Sequence, residues 1–313
     1  MDETLATATS NGRRAAVTGA GGFIGSHLVR HLVGRGWSVG AIVSPRADLT
    51  RLSTVIEQIE TFSTDLAGDA DLTGAFDGAD VVFHLAAAGV GATGDSGVDV
   101  VRSNLVGTQR ALEAATSSGV ARFVYTGSCF EYPPGALWRE DAQLAPATAY
   151  AATKAAGWTL AMAHARRTGL EVTGLRPFTV YGPGEAPTRL VPYAIGRALA
   201  GSDLQLSQGD QRRDWVYIDD VVLAFELAAL SAAAKGEMCN VCTGRSSSVR
   251  DIVTAVLELT GSRSRAEFGQ RPSRAVEFAE LSGDPAKAAL VLGFTADVSL
   301  AEGLRRTIES ARR

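Results

Sequence analysis

Tyr150 and Lys154 stand four residues apart in the stretch AYAATKAAGW, a spacing that puts both side chains on one face of a helix. An ammonium so close lowers the pKa of a phenol and makes it a proton donor. The same pair also reads as two surface residues on an Ala-rich helix, and an isolated Tyr-x-x-x-Lys does not decide between the two. Ser128, at the end of the β-rich run ARFVYTGS, adds a hydroxyl group. A second cluster is AAVTGAGGFIGSHLVRHLV, which begins as a buried strand, turns through Gly19, Gly22 and Gly25, and continues as a helix with apolar Ile24, Leu28 and Leu32. Glycines at these points allow a tight turn, close approach of backbone to a pyrophosphate, and packing of helix on strand, with the helix N-terminus facing the anion. That chemistry is dinucleotide binding.

These residues need a scaffold, and the chain spells one out. From Arg14 to about Pro177, the β-rich runs AAVTG, SVGAIV, QIETF, DVVFHLA, ARFVYTGS and EVTGLRP alternate with amphipathic or Ala-rich stretches. Such alternation predicts an α/β fold, a doubly wound parallel sheet covered on both faces. Residues 1–12 read as a frayed tail, residues 13–177 as the dinucleotide domain, and residues 178–313 as a smaller α/β substrate lobe with a helix at 189–200. Segments such as DWVYIDD, residues 214–220, are candidates to return to the first domain. The loop GVGATGDSG, residues 89–97, either borders the substrate or is simply a flexible connection.

The bulk numbers remove other classes of function. With 313 residues, 46% hydrophobic and 20% charged, the chain suits a soluble globular protein. Its apolar windows are broken well short of the roughly 20 residues of a spanning helix, and the polar, acidic start MDETLATATSNG lacks a signal-peptide core. A cytoplasmic location without a membrane partner is the expectation. A net charge of −4 with no basic block argues against nucleic acid. Three cysteines are too few for a disulfide framework, and Cys239 with Cys242 forms a lone Cys-x-x-Cys in what reads as a strand, so no metal site is expected.

The turn Gly19-Ala-Gly21-Gly22-Phe23-Ile24-Gly25 has the spacing GxxGxxG and resembles the short-chain dehydrogenase/reductase superfamily, in particular its extended, nucleotide-sugar-modifying branch. The resemblance runs over nearly the whole chain. It takes in Asp65-Leu66, HLAA from His84, NLVGTQRALEAA from Asn104, Ser128, Tyr150 with Lys154, RPFTVYGPG from Arg176, RRDWVYIDDV from Arg212, and Arg271-Pro272. It implies a Rossmann-type fold with Tyr150 as general acid/base, Ser128 orienting the substrate oxygen, and Lys154 on the nicotinamide ribose. It implies cofactor contacts at Gly19, Gly22, Phe23, Ile24 and Gly25, at Leu85, Ala86 and Ala87, and at Asn104 and Pro177. Asp65 would face the adenine with Leu66 packed on it, and Asn104 would support the Lys154 helix or merely begin its own. His84 receives no chemical role and is expected as a buried, hydrogen-bonded histidine. A relative reduced to a scaffold would have lost the Tyr or the Lys, and both are here.

About 20 residues past the last glycine, NAD-binding proteins place an acid on the ribose hydroxyls. Here Ser44 takes that place and Arg46 follows, a hydroxyl and a guanidinium fitted to the 2′-phosphate of NADP. The alternative is a solvated Arg46, with Asp48 acting as the acid. By resemblance, 4,6-dehydratases carry Asp-Glu after the hydroxyl residue, where this chain has Cys129 and Phe130. That leaves NADPH-dependent reduction of a nucleotide-linked 4-keto-6-deoxyhexose, with a 4-epimerase holding NAD as the alternative. The run SCFEY, with Glu131 before Tyr132, resembles 4-ketoreductases of deoxysugar pathways. Arg213 and Arg271 match positions that hold a nucleotide-sugar diphosphate, while Thr179 stands where many members have asparagine. A homodimer through residues 104–118 and 150–167 is implied by the same resemblance.

Overall fold

A computed structural model describes residues 12–89, 97–272 and 278–313 of the chain. The tail expected at residues 1–12 and the loop at 89–97 therefore lie almost wholly outside the described residues. The chain forms two compact units. One takes in the chain through Thr126 with Ala156–Gly174 and Phe225–Glu237, and the other Gly127–Ala155, Leu175–Ala224 and Met238–Arg313.

In the first unit, β1 (Arg14–Thr18) leads into α1 (Phe23–Gly34), followed by β2 (Ser38–Val43), β3 (Glu60–Ser63), β4 (Val81–His84), α2 (Gly107–Ser117) and β5 (Arg122–Thr126). Then come α3 (Ala149–Thr168) and β6 (Glu171–Pro177), each shared with the second unit. The strands lie in the order β3-β2-β1-β4-β5-β6, with parallel pairing that matches Val17 to Ala41 and Phe83, and Phe83 to Val124. Val17, Phe83 and Val124 have no exposed surface, as a sheet covered on both faces requires. Strand order reverses beside β1, so the turn after Thr18 sits at a topological switch point, where open α/β sheets bind ligands. α1 turns Leu28, Val29 and Leu32 inward. Gly157 lets α3 close on β5, because a Cβ there would overlap the Tyr125 hydroxyl.

In the second unit a sheet runs Ser246–Ser248, Arg212–Tyr217, Glu280–Gly283, Gly135–Trp138, with Thr179–Tyr181 paired in parallel to Trp215–Tyr217. Helices Leu190–Leu199, Val249–Thr260 and Leu300–Ala311 belong to it, the first within the span expected for a helix. The helix Val249–Thr260 opens on a reciprocal cap between Ser248 and Asp251 and stops at Gly261, whose φ of 65° suits glycine.

The division expected at residue 177 is corrected in two places. Residues 127–155 belong to the second unit, and the segment that returns is Phe225–Glu237, not residues 214–220. Residues 212–217 instead find strand partners in the second sheet. The returning segment is held in the first unit by Arg122, which donates to the carbonyl oxygens of Ala229 at 2.9 Å and Ser231 at 2.6 Å. Among the described residues no helix is long and apolar enough to cross a membrane, and no cluster of potential metal ligands occurs. Cys239 lies on the strand Met238–Val241, and both it and Cys242 are buried and outside any disulfide.

Candidate active site

The glycine turn is shaped by what side chains would obstruct. Gly19 has a φ of 69°, and a Cβ on it would come within 2.8 Å of the Ala86 nitrogen. A Cβ on Gly25 would overlap the Gly19 carbonyl oxygen. The turn closes through Gly22 N–H donating to Gly19 O at 2.9 Å. α1 then starts with no side-chain cap and no acid in its first turn, so its N–H groups and dipole remain available to an anion. Phe23 and Ile24 are half-buried on this turn. The residues present therefore fit a dinucleotide pyrophosphate.

Behind the turn a hydrogen-bond chain fixes the segment after β4. Thr108 Oγ1 donates to Asn104 O at 2.6 Å, and so accepts from His84 Nε2 at 2.9 Å. His84 Nδ1 shares a hydrogen bond of 2.9 Å with Thr18 Oγ1, which also accepts from the Ala86 N–H at 3.2 Å. His84 is thereby a buried, hydrogen-bonded structural residue. Asn104, in a π turn at Arg102–Val106, accepts from Ala88 N–H at 2.8 Å and donates to Ala88 O at 3.1 Å. Its amide thus clamps the chain just beyond Leu85, Ala86 and Ala87. Ser44 and Arg46 are exposed after β2. Asp48 is exposed and accepts through Oδ1 from Thr50 N–H at 2.9 Å and Thr50 Oγ1 at 2.5 Å. Asp65 is exposed and accepts from Ala67 N–H at 3.0 Å, with Leu66 half-buried beside it.

The relay residues lie together in the second unit. Ser128 and Lys154 are buried, 6% and 2% exposed, whereas Tyr150 keeps part of its surface at solvent. The Tyr150 phenol hydrogen-bonds Ser128. The expected lowering of the phenol is corrected: desolvation pushes Tyr150 up to about 12, and the Ser128 hydrogen bond and the Arg189 charge only partly offset it. Desolvation likewise pushes Lys154 down to about 8, opposed by the Glu131 carboxylate. Burial outweighs the neighbouring charges at both groups.

Ser128 opens the 3-10 turn Cys129–Glu131, with its side chain accepting from the Phe130 N–H and Glu131 closing the reciprocal cap. Cys129 is buried and its thiol is pushed up to about 12 by desolvation, which leaves it inert. Phe130 packs against Phe278 with centroids 6.0 Å apart. Pro177 is buried at the end of β6, and Thr179 is half-buried. Arg213 donates to Phe278 O at 2.8 Å, while Arg271 is exposed and lies 4.6 Å over the Tyr193 ring.

Sequence reasoning passed over Arg189 and Glu185. Glu185 pairs with Arg189 at 3.5 Å, its side chain 10% exposed, and burial pushes its carboxyl up to about 7. Its Oε2 has no hydrogen-bond partner. The i,i+4 spacing of opposite charges was the available signal. Glu131 was noted only as a resemblance, although Ser128-x-x-Glu131 is a capping-box spacing.

Residues 15–242 match the model of the NAD dependent epimerase/dehydratase family. A UDP-glucose 4-epimerase of Mycolicibacterium smegmatis is 36% identical over 96% of this chain and 98% of its own. A dTDP-glucose 4,6-dehydratase of Streptomyces griseus is 33% identical over 93% and 92%. Among solved structures, MoeE5 in complex with UDP-glucose and NAD superposes with a TM-score of 0.86 at 35% identity, covering 96% of this chain and 99% of that one. With its glycine turn and its Ser128, Tyr150 and Lys154 in place, this chain belongs to the NAD dependent epimerase/dehydratase family of extended short-chain dehydrogenases/reductases.

Proposed function

We propose that this enzyme reduces the C4 ketone of a nucleotide-linked 4-keto-6-deoxyhexose with NADPH. The observation that carries the reading is the set Ser128, Tyr150, Lys154 followed by Cys129 and Phe130 in place of two carboxyl groups. Removing water from a sugar needs an acid and a base beside the relay. A thiol pushed up to about 12 and a phenyl ring offer neither. Exchange of hydride at one carbon and of a proton at its oxygen remains.

When bound, the nicotinamide supplies the hydride. Ser128 and Tyr150 share a hydrogen bond and together grip the ketone oxygen. A phenol pushed up to about 12 is protonated at neutral pH, the form that gives its proton to a ketone oxygen as negative charge builds there. Lys154 stabilises the tyrosinate that is left. Phe130 and Phe278 form an apolar wall that limits water. Arg213 and Arg271 are the cations for the substrate diphosphate. Ser44 and Arg46 are the hydroxyl and guanidinium for the 2′-phosphate of NADP. A homodimer through residues 104–118 and 150–167 is part of the same reading.

The relatives favour a second reading, a nucleotide-sugar 4-epimerase with retained NAD, since one relative is a UDP-glucose 4-epimerase and another was solved with UDP-glucose and NAD. A single experiment separates the two. Purified enzyme is mixed with NADPH or NADH and a panel of nucleotide-linked 4-keto-6-deoxyhexoses, and separately with UDP-glucose alone. Stoichiometric oxidation of NADPH in the first arm supports the reductase. Interconversion of UDP-glucose without net cofactor oxidation supports the epimerase and overturns it.

A further inference from the structure

Arg271 reaches its place through the two-stranded sheet of the second unit, in which Leu204–Gln205 pairs in parallel with Ala266–Glu267. The chain past that pair stays tied to it: Gly269 N–H donates to Ser207 O at 3.1 Å, and Arg271 N–H donates to Leu206 O at 3.0 Å. The backbone of Arg271 is thus fixed, although the residue is exposed. An exposed arginine ordinarily samples many rotamers, and ordering them at the moment of binding costs affinity.

Here Tyr193 orders the side chain in advance. Tyr193 lies half-buried on the helix Leu190–Leu199. Its hydroxyl donates to Gln205 O at 3.3 Å and accepts from Gln205 N–H at 3.1 Å, so both backbone groups of one strand residue pin the ring. Arg271 Nη2 then donates to the same hydroxyl at 3.2 Å, and Arg271 Cζ lies 4.6 Å from the centroid of the ring. A guanidinium over an aromatic ring is held through its face, whereas the donors along its edge are the ones that recognise phosphate. The tie between helix and strand is already closed by Gln205. The two contacts to Arg271 add nothing to that tie, and they fix where a cation stands.

We infer that Tyr193 is a positioning residue for substrate binding: its ring and hydroxyl hold the Arg271 guanidinium ready for the diphosphate of a nucleotide sugar. The inference rests on the role proposed above for Arg271. It gives Tyr193 no contact with the substrate, so Tyr193 acts through Arg271 alone. Phenylalanine keeps the ring and loses the hydroxyl, whereas leucine loses both.

The test is a double-mutant cycle read by calorimetry with UDP and with dTDP. Wild type, Tyr193→Leu, Tyr193→Phe, Arg271→Ala and each Tyr193 change combined with Arg271→Ala are compared, with a thermal melt of every variant. For the diphosphate that wild type binds more tightly, Tyr193→Leu lowers affinity by about fivefold, the order of one exposed cation–π contact and one hydrogen bond. Tyr193→Phe lowers it by about two- to threefold, and Arg271→Ala by at least about tenfold. In the Arg271→Ala background neither Tyr193 change lowers affinity further. Losses that multiply in the double variants, or full affinity in Tyr193→Leu, would overturn the inference and leave Tyr193 a brace between its helix and Gln205. If Tyr193→Leu does not fold, Tyr193→Phe decides by the same cycle: a loss that vanishes in the Arg271→Ala background upholds the inference, and no loss or a persisting one overturns it. Unchanged affinity in Arg271→Ala, or no binding of either diphosphate by wild type, strikes the role of Arg271 itself, so the two failures are distinguishable.

Discussion

The glycine turn and the Ser128 turn answer opposite demands. At the first, α1 begins with Gly22 at its cap, no side-chain cap on its N–H groups and no acid in its first turn. At the second, a 3-10 turn of only Cys129–Glu131 is capped reciprocally by Ser128 and Glu131, and Glu131 is held in turn by Arg176. A phosphate is bound by leaving backbone donors open and side chains absent. A hydroxyl is fixed for proton transfer by closing every degree of freedom around it, at the cost of burying charge. Under the proposed function, the first region binds because it is unfinished, and the second reacts because it is over-determined.

The sharpest way to break this contrast is Tyr150→Phe. It removes the transferable proton and leaves the glycine turn untouched, so turnover is expected to fall by about 10²–10⁴-fold while dinucleotide affinity stays within twofold of wild type, checked by steady-state kinetics and calorimetry. A comparable loss of dinucleotide affinity would show that the two regions do not divide the labour this way. Gly25→Ala attacks the other region. Its methyl group would overlap the Gly19 carbonyl oxygen, so dinucleotide affinity is expected to fall at least tenfold and unfolding free energy by about 2 kcal/mol, measured by fluorescence titration and denaturant melts.

Lys154→Met sharpens the comparison by separating stability from chemistry. The lysine sits at about 8, below its ordinary 10.5, so the folded protein holds fewer protons between those values and stability rises with pH across that window. The burden of the buried ammonium is fully present below pH 8. Replacing it with methionine is therefore expected to stabilise the fold by on the order of 2 kcal/mol at pH 7 and to give nothing above about pH 10.5, while activity collapses. A destabilised variant at pH 7 would contradict the cost assigned to this charge.

The smallest effect is expected at Glu185, whose carboxyl is raised from 4.5 to about 7. Here the folded state holds more protons between those values, so stability falls as pH rises through the window. Glu185→Gln is expected to gain on the order of 1 kcal/mol above pH 7, since the Arg189 pair is lost at the same time, and to gain nothing below about pH 4.5. Melts at pH 4, 6 and 8 would check the slope.

The contrast also explains what the sequence made legible. Strand positions followed from short buried runs, and all six expected strands of the parallel sheet are found within a few residues of where they were read. The glycine turn was legible because its function is an absence of side chains, which a sequence displays directly. The electrostatics of the relay were not. The Tyr150 and Lys154 spacing implied a lowered phenol, and burial reversed the sign, with Cys129 and Glu131 pushing the same way against the Ser128 hydrogen bond and Arg189. The division of the chain failed for a related reason: residues 127–155 read as a continuation of the first domain, but they fold with strands that appear in the sequence more than fifty residues later.

The most direct measurement follows the hydrogen itself. NADPH deuterated at nicotinamide C4, on each face in turn, is supplied with a nucleotide-linked 4-keto-6-deoxyhexose, and the product sugar is read by NMR for wild type and Tyr150→Phe. Deuterium at sugar C4 from one face of the cofactor, with turnover abolished in Tyr150→Phe, is the predicted result. Deuterium at any other carbon, or full turnover without the phenol, would contradict the assignment of Tyr150 as the proton donor in a C4 reduction.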